Sequence, residues 1–138
     1  MTPIRWLDSL SLDVPAIDAD HKHLLDLLNR LHYMALAGDD REAVGAVLAE
    51  LVAYTFAHFA REEALMQACG YPGLAQHARL HEVLRAQVAH QRARFRADPR
   101  SFDVQGFYAF LSDWLTMHIL GEDMKLKPWV AAAETAAA

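Results

Sequence analysis

Apolar residues recur along this chain at alternating intervals of three and four, the period of a helix with one buried face. Four such stretches stand out, separated by turn signals. The first is expected to begin near Asp18 or Asp20, either of which could cap it, and to run to about Leu36, before Gly38-Asp39-Asp40. Its inward stripe is His21, Leu25, Leu28, His32 and Ala35. The second follows Asp40 and reaches Cys69, with Gly70 as its terminating glycine. Its stripe is Val44, Leu48, Leu51, Thr55, His58, Glu62, Leu65 and Cys69. The third begins around Pro72 and Gly73, stops before Pro99, and carries His77, His81, Leu84, Val88 and Phe95. The fourth is capped by Ser101 or Asp103 and runs to about Gly121, with Phe107, Leu111, Trp114, His118 and Gly121 on its stripe.

No period-two strand pattern of useful length is present. Short turns between long helices make neighbours antiparallel, so the expected fold is all-α, an up-down-up-down four-helix bundle. One domain over residues 1–138 is expected, with the bundle at about 18–127. Residues 1–17 should form an arm whose Trp6, Leu7 and Leu10 pack on the bundle. The alanine-rich tail, about 131–138, is expected to fray.

Composition narrows the function. The chain has 25 alanines and 19 leucines against 6 glycines and 5 prolines, a helical balance. A formal net charge of −5 argues against a nucleic-acid partner, which needs a basic face. Cys69 is the single cysteine, so no internal disulfide can form. The N-terminal residues lack the apolar core of a signal peptide, and no apolar run approaches the roughly 20 residues of a membrane helix. The richest stretch, Gly45 to Ala60, contains Glu50 and His58. A soluble, cytoplasmic monomer is expected. The unusual feature is 8 histidines beside only 13 Lys+Arg. Histidine is the commonest metal ligand.

Placement along the helices gives those histidines meaning. His21 lies near the start of the first helix, and His58 and Glu62 in the last third of the second. His77 and His81 open the third, and His118 closes the fourth. In an up-down-up-down bundle these places form one layer, about 5–15 Å from one end at ~1.5 Å rise per residue. A buried, unpaired Glu62 would cost several kcal/mol, so the layer needs compensation. Imidazoles and carboxylates converging in a dry layer are a metal-ligand set. The pairs His58/Glu62 and His77/His81 are each four apart, on one helix face.

The segments Ile17-Asp18-Ala19-Asp20-His21-Lys22, His58-Phe59-Ala60-Arg61-Glu62-Glu63-Ala64-Leu65-Met66, Tyr71-Pro72 through His77 and His81, and Trp114-Leu115-Thr116-Met117-His118-Ile119-Leu120-Gly121-Glu122-Asp123 resemble the hemerythrins, in particular the single-domain bacterial ones. The resemblance implies a non-haem di-iron centre, carboxylate- and oxo- or hydroxo-bridged, that binds dioxygen reversibly. It implies that His77, His81 and His118 bind one iron, His21 and His58 the other, and that Glu62 and Asp123 bridge them. Spacing alone would choose Glu122, four residues after His118, over Asp123, which is rotated by about 140° in a regular helix. The resemblance selects Asp123, with Gly121 as the place where the helix could change course.

Five histidines, two bridging carboxylates and one bridging oxygen fill all but one position of two octahedral irons. The open one falls on the iron of His21 and His58, where the resemblance implies that dioxygen is held as hydroperoxide. Trp114, Leu115 and Ile119 are the expected lining of a dry ligand pocket. Oxygen carriage, storage or delivery without catalysis is the first reading. A di-iron enzyme (peroxidase, oxidase or nitric-oxide handling) and an oxygen or redox sensor module are the alternatives. His23, His32 and His90 are expected to stand outside the centre, as is Glu63, read as a solvated charge.

Overall fold

The structure, a computed structural model, describes residues 5–38 and 40–137. Met1–Ile4 of the expected arm, Asp39 of the first turn and Ala138 of the tail lie outside the described residues. Five helices follow a short 3₁₀ turn at Asp8–Leu10: α1 (Pro15–Ala37), α2 (Arg41–Ala68), α3 (Leu74–Ala97), α4 (Val104–Gly121) and α5 (Lys127–Ala137). A second 3₁₀ turn, Asp123–Leu126, joins α4 to α5. The first four helices form the all-α bundle, with α1 packed on α2 and α4, and α3 on α2.

The helix ends show the local chemistry. Pro15 occupies the first position of α1, where its fixed φ favours a helix and its missing N–H costs nothing. The helix therefore starts earlier than expected, and neither Asp18 nor Asp20 caps it. Asp18 instead accepts from Ser11 Oγ at 2.6 Å and from the Leu12 N–H at 2.9 Å, which ties the arm to α1. Asp40 caps α2 by accepting from the Glu42 N–H at 2.8 Å, and Asp103, rather than Ser101, caps α4 through the Gly106 N–H at 2.9 Å. Gly38 and Gly70 follow α1 and α2 at φ 71° and 69°, left-handed values that favour glycine.

The buried residues of α3 are His77, His81, Leu84, Val88 and Phe95, the stripe read from its spacing. On α1 the buried face is two residues wide, because the helix packs against two neighbours. Among the described residues α2 alone is long and apolar enough by composition to cross a membrane, which amends the expectation that no stretch approaches that length. Nearly half of its apolar window is buried inside the bundle, as in the core helix of a globular protein.

Two apolar clusters make up the core. The larger fills the bundle from Val44 and Phe95 to Phe59, Leu115 and Ile119. The smaller joins Leu12 of the arm, Ile17, Met66, Leu126 and Val130. Its members come from the arm, the start of α1, the end of α2, the second 3₁₀ turn and α5, so it closes one end of the bundle. α5 docks through Val130, and the chain beyond it continues as a mostly exposed helix to Ala137. In the arm Leu10 is buried and Trp6 packs on the core, but Leu7 is 59% exposed; Leu12, 1% exposed, is the arm's deeper anchor.

Candidate metal centre

The structure brings His21, His58, Glu62, His77, His81, His118 and Asp123 together in one layer, each at most 5% exposed. His21 comes from α1, His58 and Glu62 from α2, His77 and His81 from α3, and His118 from α4. Asp123 opens the 3₁₀ turn, while Glu122 points away and pairs with Lys125 at 3.3 Å. The change of course occurs at Glu122, whose N–H still donates to the His118 carbonyl at 2.8 Å before the chain tightens. Gly121 is not the cause: its φ is not left-handed, and a Cβ there would meet nothing within 4 Å.

The two oxygens of Glu62 divide the histidines. Oε1 lies 2.8 Å from His77 Nε2 and 3.2 Å from His81 Nε2, with His118 Nε2 at 3.9 Å. Oε2 lies 3.1 Å from His58 Nε2 and 3.6 Å from His21 Nε2. Asp123 divides them in the same sense: Oδ1 is 3.0 Å from both His77 and His118 Nε2, and Oδ2 is 3.1 Å from His21 Nε2. The result is two sets that could each hold a metal ion, Glu62/His77/His81/His118/Asp123 and His21/His58/Glu62/Asp123, sharing both carboxylates.

Hydrogen bonding alone does not account for this arrangement. His118 Nε2 is 3.0 Å from His77 Nε2 and 3.2 Å from His81 Nε2, so three imidazoles point the same nitrogen at one spot. Ligand atoms at right angles around an ion, each about 2.1 Å from it, stand about 3.0 Å apart. Among the described residues, the buried side-chain atoms without a hydrogen-bond partner are His21 Nδ1 and Nε2, Glu62 Oε2, His77 Nδ1, and Asp123 Oδ1 and Oδ2. Every one belongs to this layer, and leaving such atoms unsatisfied costs about 1–3 kcal/mol each. A pair of cations would satisfy the inward-facing ones, so the donor set fits a two-metal group.

Without metal, the layer holds protons. Burial disfavours the imidazolium of His21 and of His77, but the facing carboxylates of Asp123 and Glu62 outweigh it and raise both pKa values to about 9. His58 and His118 shift upward by the same balance. Burial pushes the Glu62 carboxyl up, yet the surrounding imidazoles, His118 foremost, hold it well below its ordinary value. Asp123 is lowered likewise.

Around the layer, aromatic rings stack on two of the imidazoles. Phe59 stacks on His81 at 3.8 Å between centroids, and half-buried Trp114 stacks on His118 at 4.4 Å. Leu115 and Ile119, 4% and 0% exposed, flank His118 on α4. Three histidines lie elsewhere. His32 is buried and bonded to Gln105 Oε1 at 3.2 Å; His23 faces Glu50 at 3.8 Å with its side chain 38% exposed; His90 is exposed.

Two site residues escaped the reading of spacing. Asp20 is 4% exposed and bonds His58 Nδ1 at 2.9 Å. Its signal was its period with Leu24, Leu27 and Leu31, the second buried stripe of α1. Glu63 is not a solvated charge: it accepts from His81 Nδ1 at 2.9 Å, because α3 lies close enough to cover it.

The Hemerythrin HHE cation binding domain family matches residues 12–130. A bacteriohemerythrin of Stenotrophomonas maltophilia (strain R551-3) is 41% identical over 132 residues, covering 96% of this chain and 84% of that protein. A myohemerythrin of Riftia pachyptila is 30% identical over 126 residues, covering 91% and 92%. The crystal structure of a wild-type hemerythrin superposes with a TM-score of 0.87 at 31% identity, covering 94% of this chain and 98% of that one. A bundle whose five histidines and two carboxylates meet in one closed layer, matched along nearly its whole length by these relatives, belongs to the hemerythrin family.

Proposed function

We propose that this protein binds dioxygen reversibly at a two-iron centre, for carriage, storage or delivery. The observation that carries this reading is the unequal division of the layer: three histidines on one side of Glu62 and Asp123, two on the other. In this reading His77, His81 and His118 would hold one iron and His21 and His58 the second, with Glu62 and Asp123 shared between the two sets. A bound iron pair would supply the electrons that dioxygen takes up, as in the hemerythrins this chain resembles.

The chain's own residues supply the rest. Glu62 and Asp123 bring negative charge to match the cations. Leu115, Ile119 and Trp114 place apolar surface around His118 and would keep the layer dry, which slows irreversible oxidation. Leu12, Ile17, Met66, Leu126 and Val130 close the end of the bundle to water. The other buried polar groups are committed elsewhere: Thr55 to the Leu51 carbonyl, Ser112 to the Ala109 carbonyl and His32 to Gln105. Asp20, the remaining buried acid beside the layer, is bonded to His58, Tyr54 and Arg61, so the described residues there are committed to holding the site, which favours binding over turnover. The test is iron content and gas uptake of the purified chain. Two irons per chain and one dioxygen per pair, released under vacuum, support the proposal; an iron-free chain contradicts it.

A further inference from the structure

Each half of the layer contains one histidine whose outward nitrogen is held by a carboxylate, and each carboxylate is held in turn by an arginine. On the two-histidine side, Asp20 Oδ2 accepts from His58 Nδ1 at 2.9 Å and from Arg61 Nε at 2.8 Å. Its Oδ1 accepts from Tyr54 OH and Arg61 Nη2, both at 2.8 Å. On the three-histidine side, Glu63 Oε2 accepts from His81 Nδ1 at 2.9 Å and from Arg85 Nη2 at 3.0 Å. His21 Nδ1 and His77 Nδ1 have no such partner.

We propose that Asp20 and Glu63 are positioning residues, one for each metal ion, with Arg61 and Arg85 as their outer clamps. A carboxylate can only accept, so His58 and His81 must carry their protons on Nδ1, leaving the Nε2 lone pairs free toward the layer. The inference rests on the two-iron reading. The two devices are unequal. The Asp20 side chain is 6% exposed and takes four hydrogen bonds; the Glu63 side chain is 27% exposed and takes two on one oxygen. Asp20 also serves the side with fewer histidines, where one lost ligand weighs more.

The substitution Asp20→Asn has a defined consequence. An amide has one accepting oxygen and one donating nitrogen, while all four partners of Asp20 donate or can donate. Its nitrogen must therefore face either His58 and Arg61 Nε, or Tyr54 and Arg61 Nη2. In the first case His58 has to accept at Nδ1, which moves its proton to Nε2 and blocks the metal; in the second the oxygen stays on His58, but the amide nitrogen faces the Arg61 Nη2 donor and the charge that makes His58 a strong ligand is gone. Glu63→Gln is milder, because one amide oxygen can still accept from both His81 Nδ1 and Arg85 Nη2, and only the negative charge behind His81 is lost.

The test is an anaerobic titration of the metal-free full-length chain with ferrous iron against a chromophoric chelator, resolving both dissociation constants. Asp20→Asn should weaken one ion by about 10- to 100-fold and spare the other; Glu63→Gln should weaken the other ion by a smaller factor. Arg61→Gln keeps Asp20 on His58 but removes two of its four bonds, and should weaken the same ion as Asp20→Asn by several-fold; it decides the matter if Asp20→Asn does not fold. Unchanged constants in the variants overturn the positioning role and leave the two-iron reading standing. Equal weakening of both ions by either variant, with a matching drop in melting temperature of the metal-free chain, also overturns it, since general destabilisation would then suffice. A wild-type chain that takes up no iron overturns both readings.

Discussion

Asp123 Oδ2 stands 3.1 Å from His21 Nε2, joining the turn after the fourth helix to the start of the first across the closed end of the bundle. Glu122, its neighbour, lies outside the layer with Lys125. Asp123→Asn should therefore cut iron content from two per chain to one or none after desalting, while Glu122→Gln keeps both. Loss of iron in Glu122→Gln alone would show that the carboxylate has been misassigned.

The structure explains why much of this was legible before it. Heptad-like stripes on α3 identified every buried residue of that helix, because α3 presents one narrow face to the bundle. The level of each histidine along its helix sufficed to place five of them in one layer. Spacing failed where the helix stopped being regular: no periodicity predicts that the chain turns at Glu122 into a 3₁₀ segment that buries Asp123. It also failed at Asp20 and Glu63, whose roles depend on which helix covers them. The alanine run after Val130 suggested fraying; Val130 itself joins Leu12 and Met66 in the apolar cluster, which no periodicity announced.

Leu115 lies one turn before His118, 4% exposed, with Ile119 on the far side of that histidine. Leu115→Ala should open the pocket to water, and Leu115→Tyr should add a hydroxyl beside the site. Each should change the rate of irreversible oxidation of the oxygenated protein by several-fold, followed in air by absorbance decay. Rates equal to wild type in both variants would remove Leu115 from the pocket.

Val130 is the only residue of α5 in the cluster that closes the layer, among the described residues. Val130→Asp places a charge among Leu12, Ile17, Met66 and Leu126, and undocking α5 is the cheapest response. Chelator extraction of iron should then speed up several-fold, and amide exchange along α5 should rise while α2 and α3 stay protected. Unchanged extraction would mean that α5 does not guard the site.

Metal removal should show opposite pH trends in the two forms. In the metal-free chain, His21 and His77 titrate at about 9 instead of 6.5, because the carboxylates of Asp123 and Glu62 outweigh burial. A folded-state pKa raised in this way stabilises the chain fully below about pH 6.5, and the contribution fades as pH rises through about 9. Iron needs the same nitrogens deprotonated, so its affinity climbs over that interval and protons are released on loading. The gap in melting temperature between loaded and metal-free protein should widen from pH 6.5 to pH 9. A constant gap would show that the imidazoles are not the groups exchanged for iron.

Reversible oxygenation is the most direct test of the account. The iron-loaded protein is reduced without oxygen, exposed to dioxygen, and returned to vacuum while its visible spectrum is followed. The account predicts a charge-transfer band that appears with dioxygen, disappears on its removal, and returns over repeated cycles. A protein that oxidises once and never releases the gas, or shows no band because it holds no iron, would contradict it.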